Sequence, residues 1–466
     1  MNLAWTKVLS NQEPPKKNCS QLLNRDAQLA IQSFDPKRPT VIIVDGYSSG
    51  RLLAGPFRAA GYQLLHIHSH GKPTTASFAE SFWPDTFEVD IRYHGNFSKL
   101  LAQLNGVNVQ AVLPGADPGV LFADKLSHAL HQVNPQIATN GIELGRKDKF
   151  LMNEVLRAAG LDVALQVKAK NPAEAMTWVS AHRLFEKGPK KIVIKPLDSS
   201  GSRGLFIVSN ESELENAFRV LASGHSGTGH AHHEVLLQEY LEGTEYVVNT
   251  VGIDGAHKHT CLIRYKKRLT DDGLHQIYHY DRLLPFQGDV QDTIKAYNNK
   301  VLQALGIRFG AGHSEVMMVP GRGPVLIEMN VRMMGSSQPA LTEYATGQSQ
   351  VDKLILAVQE PEKFKALRDG YDLKREALIF TLGNLNHKRM LLNPDALAHI
   401  QKIPGVIKIS FNYPLGRKDV VVKPTIDLPT SIADIWVSHE SAEVIEAAIA
   451  ELEALEKDGR LLLPPR

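Results

Sequence analysis

Two strand-like runs, HSEVMMV (His313–Val319) and VLIEMNVR (Val325–Arg332), flank the five residues Pro320-Gly321-Arg322-Gly323-Pro324. A break rich in glycine and proline between two such runs predicts a β-hairpin. Pairing centred between Gly321 and Arg322 sets Met318 opposite Val325. It also sets Glu315 directly opposite Glu328, with Cβ atoms roughly 4.5–5.5 Å apart. On the second strand Glu328, Asn330 and Arg332 alternate with Ile327, Met329 and Val331. A period of two aims the acid, the amide and the cation at one face and packs the apolar set behind.

Two facing carboxylates repel, and one is pushed towards protonation unless a hard divalent cation with a preference for oxygen ligands lies between them. Mg²⁺ is the natural occupant. Asn330 adds a neutral oxygen on the same face, and Arg332 lies about 13 Å beyond Glu328 by strand rise, towards whatever anion the metal holds. The face therefore suits Mg²⁺ and a phosphorylated substrate. An ordinary exposed hairpin shows the same alternation, so other segments must decide.

Three of them bear on the question. In IVIKPLDSSGSRGLFIV (Ile192–Val208), Lys195 ends an apolar strand, and a loop with Ser199, Ser200, Gly201, Ser202 and Gly204 leads to another. Glycines admit backbone N–H groups to phosphate oxygens, and the lysine adds a point charge. The order of a Walker loop is missing, and a plain flexible hairpin loop has the same composition. In LLQEYLEGTEYVVNTV (Leu236–Val251), acids at Glu239, Glu242 and Glu245 border an apolar strand, an arrangement suited to ribose hydroxyls and an adenine amino group, or to a salt-bridged surface. The histidines of GHSGTGHAHHE (His225, His230, His232, His233) lack helical metal-ligand spacing and read as a solvated loop.

A chain of 466 residues is expected to form two to four packed units. Residues 1–38 read as a polar extension without the apolar stretch of a secretory signal. Residues 39–147 alternate strand and helix in a Rossmann-like layer. Its DGYSSG turn (Asp45–Gly50) is not the G-x-G-x-x-G dinucleotide fingerprint, and it either reaches a substrate or simply joins strand to helix. Residues 148–350 are rich in hairpins, with a lid at about 185–240, and residues 351–466 form a C-terminal α+β unit. The fold class is thus α/β and α+β, multidomain. A formal net charge of +2 gives no reason to expect nucleic acid or an anionic membrane as partner, and no apolar run is long enough to span a bilayer. Cys19 and Cys261 make neither a disulfide framework nor a cysteine metal site, so a cytoplasmic protein is expected.

Taken in order, Lys149, Lys195 with its Gly-Ser loop, QEYLEGTEY and SE…IEMNVR resemble the ATP-grasp superfamily of carboxylate-amine ligases over roughly residues 40–350. The resemblance implies an ATP-grasp fold in which Lys149 and Lys195 touch the nucleotide phosphates and the Ser199–Gly204 loop folds over them. Gln238, Glu239, Tyr240 and Leu241 would form the adenine hinge, and Glu245 would hold the ribose. Glu315, Glu328 and Asn330 would carry two Mg²⁺ ions, with Mn²⁺ as the alternative. VIIVDGYSSGRLLAGPFRAAGY, VLPGADPGV and GHSEV are most similar to the L-amino acid ligase group, which joins two amino acids. That likeness implies Arg332 on the reacting carboxylate and, among neighbouring histidines, His279 as a second anion-stabilising group. It implies small-molecule partners, an amino acid or other carboxylate and an amine, and the C-terminal unit is compatible with a homodimer. A purine-pathway or biotin-carboxylase-like reaction of the same superfamily, or a non-catalytic nucleotide-binding module, are the other readings.

Overall fold

The computed structural model describes residues 31, 34–185, 191–197, 203–223, 233–335, 338–413 and 420–464. Four parallel strands, β1 (Thr40–Val44), β2 (Gln63–His68), β3 (Val89–Arg92) and β4 (Val109–Pro114), form an N-terminal sheet in the order β3-β2-β1-β4. All five residues of β1 and all six of β2 are buried, as expected of strands covered on both faces. Ile31 is buried against this layer, so the segment read as a polar extension contributes at least one core residue.

The DGYSSG turn is held from below. Among the described residues, His66, His68 and Asp90 form the one group of three or more His, Cys, Asp or Glu side chains close enough to share a metal ion. His66 Nδ1 lies 2.7 Å and His68 Nε2 3.1 Å from the two oxygens of Asp90. Gly46 N–H donates to His66 Nε2 at 2.9 Å, which leaves the proton on Nδ1 facing Asp90. A metal on Nδ1 would drive that proton onto Nε2, against Gly46 N–H, so the triad fits a hydrogen-bonded brace instead. Tyr47, fully buried, closes the chain through His68 Nδ1. Beyond it Gly50 packs so tightly on Gly115 that a Cβ would stand 2.5 Å from the Gly115 Cα, and one on Gly115 would stand 2.6 Å from the Asp45 carbonyl oxygen. The turn therefore locks the ends of β1 and β4 together.

A second sheet, β5 (Gln166–Ala169), β6 (Ile192–Pro196), β7 (Phe206–Val208) and β8 (Val235–Glu239), runs β5-β8-β6-β7 and carries two helices, Pro172–Ala181 and Glu211–Ala222. The main sheet begins with β9 (Thr244–Ile253), β10 (Ala256–Leu269), β11 (Gln276–Leu284), β12 (Gly310–Val319) and β13 (Gly323–Asn330). In the C-terminal unit come β14 (Glu376–Leu382), β15 (Met390–Leu392), β16 (Val406–Phe411), β17 (Val421–Val422), β18 (Ala433–His439) and β19 (Leu462–Leu463). Eight strands make one continuous sheet, β13-β12-β9-β10-β11-β14-β18-β16, while β17-β15-β19 form a small one. The boundary expected at residue 350 is thus no break in the sheet, because β14 pairs directly with β11.

The predicted hairpin is β12–β13, with one correction. Its turn is three residues, so Met318 faces Pro324 and not Val325. An irregularity then shifts the register between Val316↔Leu326 and Glu315↔Glu328, leaving Ile327 as the extra residue and restoring the expected acid pair. The alternation is broken there: Leu326 and Met329 enter the core, whereas Ile327 lines a cleft beside Glu328. The Leu326 N–H, which faces the bulge, donates to the Tyr297 hydroxyl at 2.9 Å. Tyr297 belongs to the helix Asp289–Ala304, whose Ile294, Tyr297 and Val301 form the buried stripe expected from its spacing. Tyr297→Phe leaves that buried N–H without a partner and should lower the unfolding free energy by about 1–3 kcal/mol in chemical denaturation. A loss below about 0.3 kcal/mol would mean that the bulge does not rest on this bond.

Candidate functional site

Between the β5–β8 sheet and the main sheet lies an open cleft of mixed polar and apolar lining, the usual setting of a small-molecule site. Lys149, Lys195, Gln238, Glu239, Tyr240, Leu241, Glu245, Glu315 and Glu328 all line it, together with apolar Val193, Leu205, Met317 and Leu326. Residues expected from four separate segments therefore meet in one place. Ser199, Ser200, Gly201 and Ser202 lie outside the described residues.

Each side chain arrives by a local rule. Asp148 caps the helix Lys149–Ala158 by accepting from Phe150 N (2.8 Å) and Leu151 N (2.9 Å). That puts Lys149 in the first turn, with Nζ 2.9 Å from Glu328 Oε1. Lys195 projects from β6 and is buried. At the other end, the end of β8 is tied to the hairpin turn: Arg322 donates to Asp162 Oδ1 (2.9 Å) and to Glu239 Oε1 (2.7 Å), and Glu239 Oε1 also accepts from Leu165 N at 3.0 Å. The Glu239 side chain is thus a brace, and the Glu239 and Tyr240 N–H groups are themselves bonded to the Leu165 and Lys191 carbonyls.

Electrostatics show what the acids lack. Burial pushes the Glu245 carboxyl up to about 7, and nearby Glu315 adds to this against the opposing charge of Lys267. Burial would raise Glu315 as well, but Lys267, His313 and Arg332 hold it down to about 2. Lys267 Nζ lies 2.6 Å from Glu245 Oε1. Burial and the charge of Lys149 press the Lys195 ammonium down to about 8, whereas Lys149 overcomes its burial through Glu328 and is raised. The carboxylate oxygens of Glu315 and Glu328 are the hard donors a Mg²⁺ ion prefers, and Asn330 beside Glu328 would add its amide oxygen on turning it to the ion.

Two residues expected in the site stand just beyond the cleft. Asn330, with its amide nitrogen turned to the acids, donates to Asp117 Oδ1 (3.0 Å) and Glu328 Oε1 (3.2 Å). Arg332 grips Asp117 in a bidentate pair, Nε–Oδ1 2.8 Å and Nη2–Oδ2 3.0 Å, and donates Nη1 to the Met333 carbonyl at 2.8 Å. Asp117 comes from the N-terminal unit, on the stretch after β4 that the Gly50–Gly115 contact fixes. Burial would raise its carboxyl, but Arg332, Lys147 and Lys149 hold it well below the usual carboxylate range.

His279 is not brought to the cleft. The β10–β11 register jumps from Lys266↔Tyr280 to Lys267↔Tyr278, so His279 is the bulged residue and turns to the other face. There its Nε2 lies 3.1 Å from Glu453 and its ring packs against Phe380. Burial, aided by Arg268, Lys266 and Lys457, keeps this imidazole neutral with its pKa down to about 3. Sequence reasoning passed over Lys267, Tyr278 and Asp117. Lys267 could have been found by carrying the alternation of β10 two residues past Tyr265, and Asp117 stands within the quoted VLPGADPGV.

Removing one partner of the Arg332–Asp117 pair strands a buried charge, so Asp117→Ala should cost about 3–5 kcal/mol of stability. The double variant Asp117→Ala/Arg332→Leu should recover part of that in a denaturation cycle. Simple additivity of the two single losses would contradict the pairing.

Comparison with known proteins agrees with this geometry. A family model described as an ATP-grasp domain matches residues 189–339. Dapdiamide A synthase of Enterobacter agglomerans is 31% identical over 439 residues, covering 90% of this chain and 96% of that protein. The crystal structure of an L-amino acid ligase from Bacillus licheniformis superposes with a TM-score of 0.64 at 16% identity, over 92% of this chain and all of that one. N5-carboxyaminoimidazole synthetase from Staphylococcus aureus superposes with a TM-score of 0.59 at 15% identity, over 89% of this chain and 97% of that one. Those two likenesses concern the fold, while the synthase relationship extends along nearly the whole chain. Together with the cleft they lead to one statement: this chain belongs to the ATP-grasp superfamily of carboxylate-amine ligases.

Proposed function

We propose that this protein uses ATP to join the carboxylate of an amino acid to an amine, releasing ADP and phosphate. The observation that carries the reading is the placement of Glu315 facing Glu328, with Lys149 and Lys195 in the same cleft, between a hinge strand and Arg332. The relative that is 31% identical is named for the synthesis of a diamide, which supports amide formation as the outcome.

The chemistry follows from what a carboxylate lacks. It is a poor electrophile because its oxygen is a poor leaving group; transfer of the γ-phosphoryl group makes an acyl phosphate, and attack by the amine then expels phosphate. Gln238–Leu241, at the end of β8, line the side that takes the adenine, and Met317 and Leu326 give it an apolar wall. Glu245 accepts from the ribose hydroxyls, and Lys149 and Lys195 oppose the phosphate charge. Glu315, Glu328 and Asn330 would hold Mg²⁺, which supplies charge neutralisation for phosphoryl transfer. Three of the five Arg332 N–H groups are committed to Asp117 and Met333, so its plane is set and two donors remain for the reacting carboxylate. Lys267, and not His279, supplies the second buried positive charge.

Phosphate release from Mg-ATP, screened over pairs of proteinogenic amino acids with mass spectrometry of positive wells, tests the reading. A product at the summed mass minus water, formed with ADP, is expected; stimulation by bicarbonate alone would overturn it. Glu328→Gln should lower turnover on the order of a hundredfold or more, the scale of losing one charge-stabilising group, while the circular dichroism spectrum stays unchanged. Wild-type rates in that variant would refute the metal assignment.

The Lys195 ammonium, depressed to about 8, loses its charge as pH rises through that value. The KM for ATP should therefore rise above about pH 8, and Lys195→Arg should flatten that limb, because a guanidinium keeps its charge. An identical pH profile in the arginine variant would remove Lys195 from phosphate binding.

A further inference from the structure

The face of the main sheet that carries the nucleotide cleft continues far beyond it. Glu245 lies opposite Tyr265, Tyr265 opposite Asp281, Asp281 opposite Ile379, Ile379 opposite Trp436, and Trp436 opposite Lys408. Residues directly opposed across strands share a face, so this is one row running from β9 to β16. At about 4.8 Å per strand it is roughly 24 Å long.

The row ends in a cation stacked on an aromatic ring. Lys408 Nζ stands 4.5 Å from the centroid of Trp436. Besides its burial, it feels the charge of Arg51, the first residue of the helix Arg51–Ala59 in the N-terminal unit, directly after the DGYSSG turn. The Arg51 guanidinium in turn lies 4.8 Å from the ring of Trp83. Both cations are half-buried, and neither forms an ion pair among the described residues. Asp434, two residues from Trp436 on β18, is shifted by its burial and not by Lys408.

This differs from three of the cations at the nucleotide end. Lys149 is paired with Glu328, Lys267 with Glu245, and Arg332 with Asp117. At the far end burial disfavours the charge of both cations and the charge of Arg51 adds to this at Lys408, while two N–H donors, Arg51 Nε and Trp436 Nε1, are buried without any acceptor. A latch between the two units would pair opposite charges; this arrangement repels until an anion enters. The unmatched groups are all donors or cations, and the walls are indole faces.

We propose that Arg51 and Lys408, flanked by Trp83 and Trp436, form a binding site for an organic carboxylate, distinct from the reacting carboxylate at Arg332. Resting on the ligase reading above, the site would take a second, non-reacting carboxylate of one of the substrates and so select for an acidic one. Its position between the N-terminal and C-terminal units would make both units necessary for that selection.

Binding can be tested without turnover. Trp83 and Trp436 are two of the four tryptophans in the chain, so intrinsic fluorescence reports on the site. Titration of the full-length protein with succinate as the probe should give a saturable change. Arg51→Gln and Lys408→Gln should each weaken it at least tenfold, with the affinity for Mg-ADP unaltered as the control for folding. Absence of a saturable change in the wild type, or equal affinity in both variants, would overturn the site. Inorganic phosphate binding as tightly as succinate would overturn the carboxylate assignment. Failure of every acid and amine pair to give an amide would sink the ligase reading while leaving this binding result standing.

Discussion

The arrangement of the cleft depends on a single extra residue. A three-residue turn alone would pair Glu315 with Ile327 and Glu328 with Ser314, because a one-residue slip in an antiparallel ladder exchanges the two faces of a strand. Ile327 restores the match by bulging out, and the peptide N–H next to it is satisfied by Tyr297. The tyrosine is also part of the stripe that buries its helix under the sheet. Packing of the helix and facing of the carboxylates are thus one event, since the hydroxyl reaches the bulge only when the apolar stripe is seated.

A similar economy governs the approach of the N-terminal unit. The Asp90–His66–Gly46 chain shapes the turn after β1, and the turn meets Gly115 at a distance only glycine tolerates. Two residues further on, Asp117 reaches into the buried pair with Arg332. Acid conditions work against this chain at its origin. Burial lowers the His66 pKa and outweighs the raising effect of Asp90; burial would raise Asp90, but its bonds from both imidazoles carry it well below the usual range. Both folded-state values lie below their unfolded ones, so the stabilisation is complete above about pH 6.5. It declines as pH falls, first through His66 and then, below about 4, through Asp90.

What could be read from the sequence followed from local rules. The stripe on Asp289–Ala304 and the facing of Glu315 and Glu328 both rest on neighbours a few residues apart, where spacing is informative. Placing Lys149, Lys195 and Gln238–Leu241 in one cleft needed the order of motifs along the chain as well, since each alone has a plainer explanation. His279 failed because one bulge, with nothing in IYHYDRLLP to announce it, turned it to the other face. Asp117 and Lys267 were missed because their meaning depends on partners 215 residues away in one case and 22 in the other. The continuity of the main sheet through residue 350 was equally hidden, for edge pairing between β11 and β14 leaves no periodic trace.

That continuity changes what the C-terminal unit is for. A separate unit could open and close over the cleft as a rigid body, but strands β14, β18 and β16 extend the same hydrogen-bonded ladder that starts at β13. Their positions relative to Glu245 are set by the sheet itself, with Ile379 and Trp436 packed in the same core as Val248 and Leu326. The β5–β8 sheet, by contrast, shares no ladder with the main one. Charge shows a related division. Lys149, Lys267 and Arg332 on the side of the nucleotide cleft already have acids beside them, so an arriving anion must exchange one partner for another, whereas Arg51 and Lys408 have no ion pair among the described residues to give up.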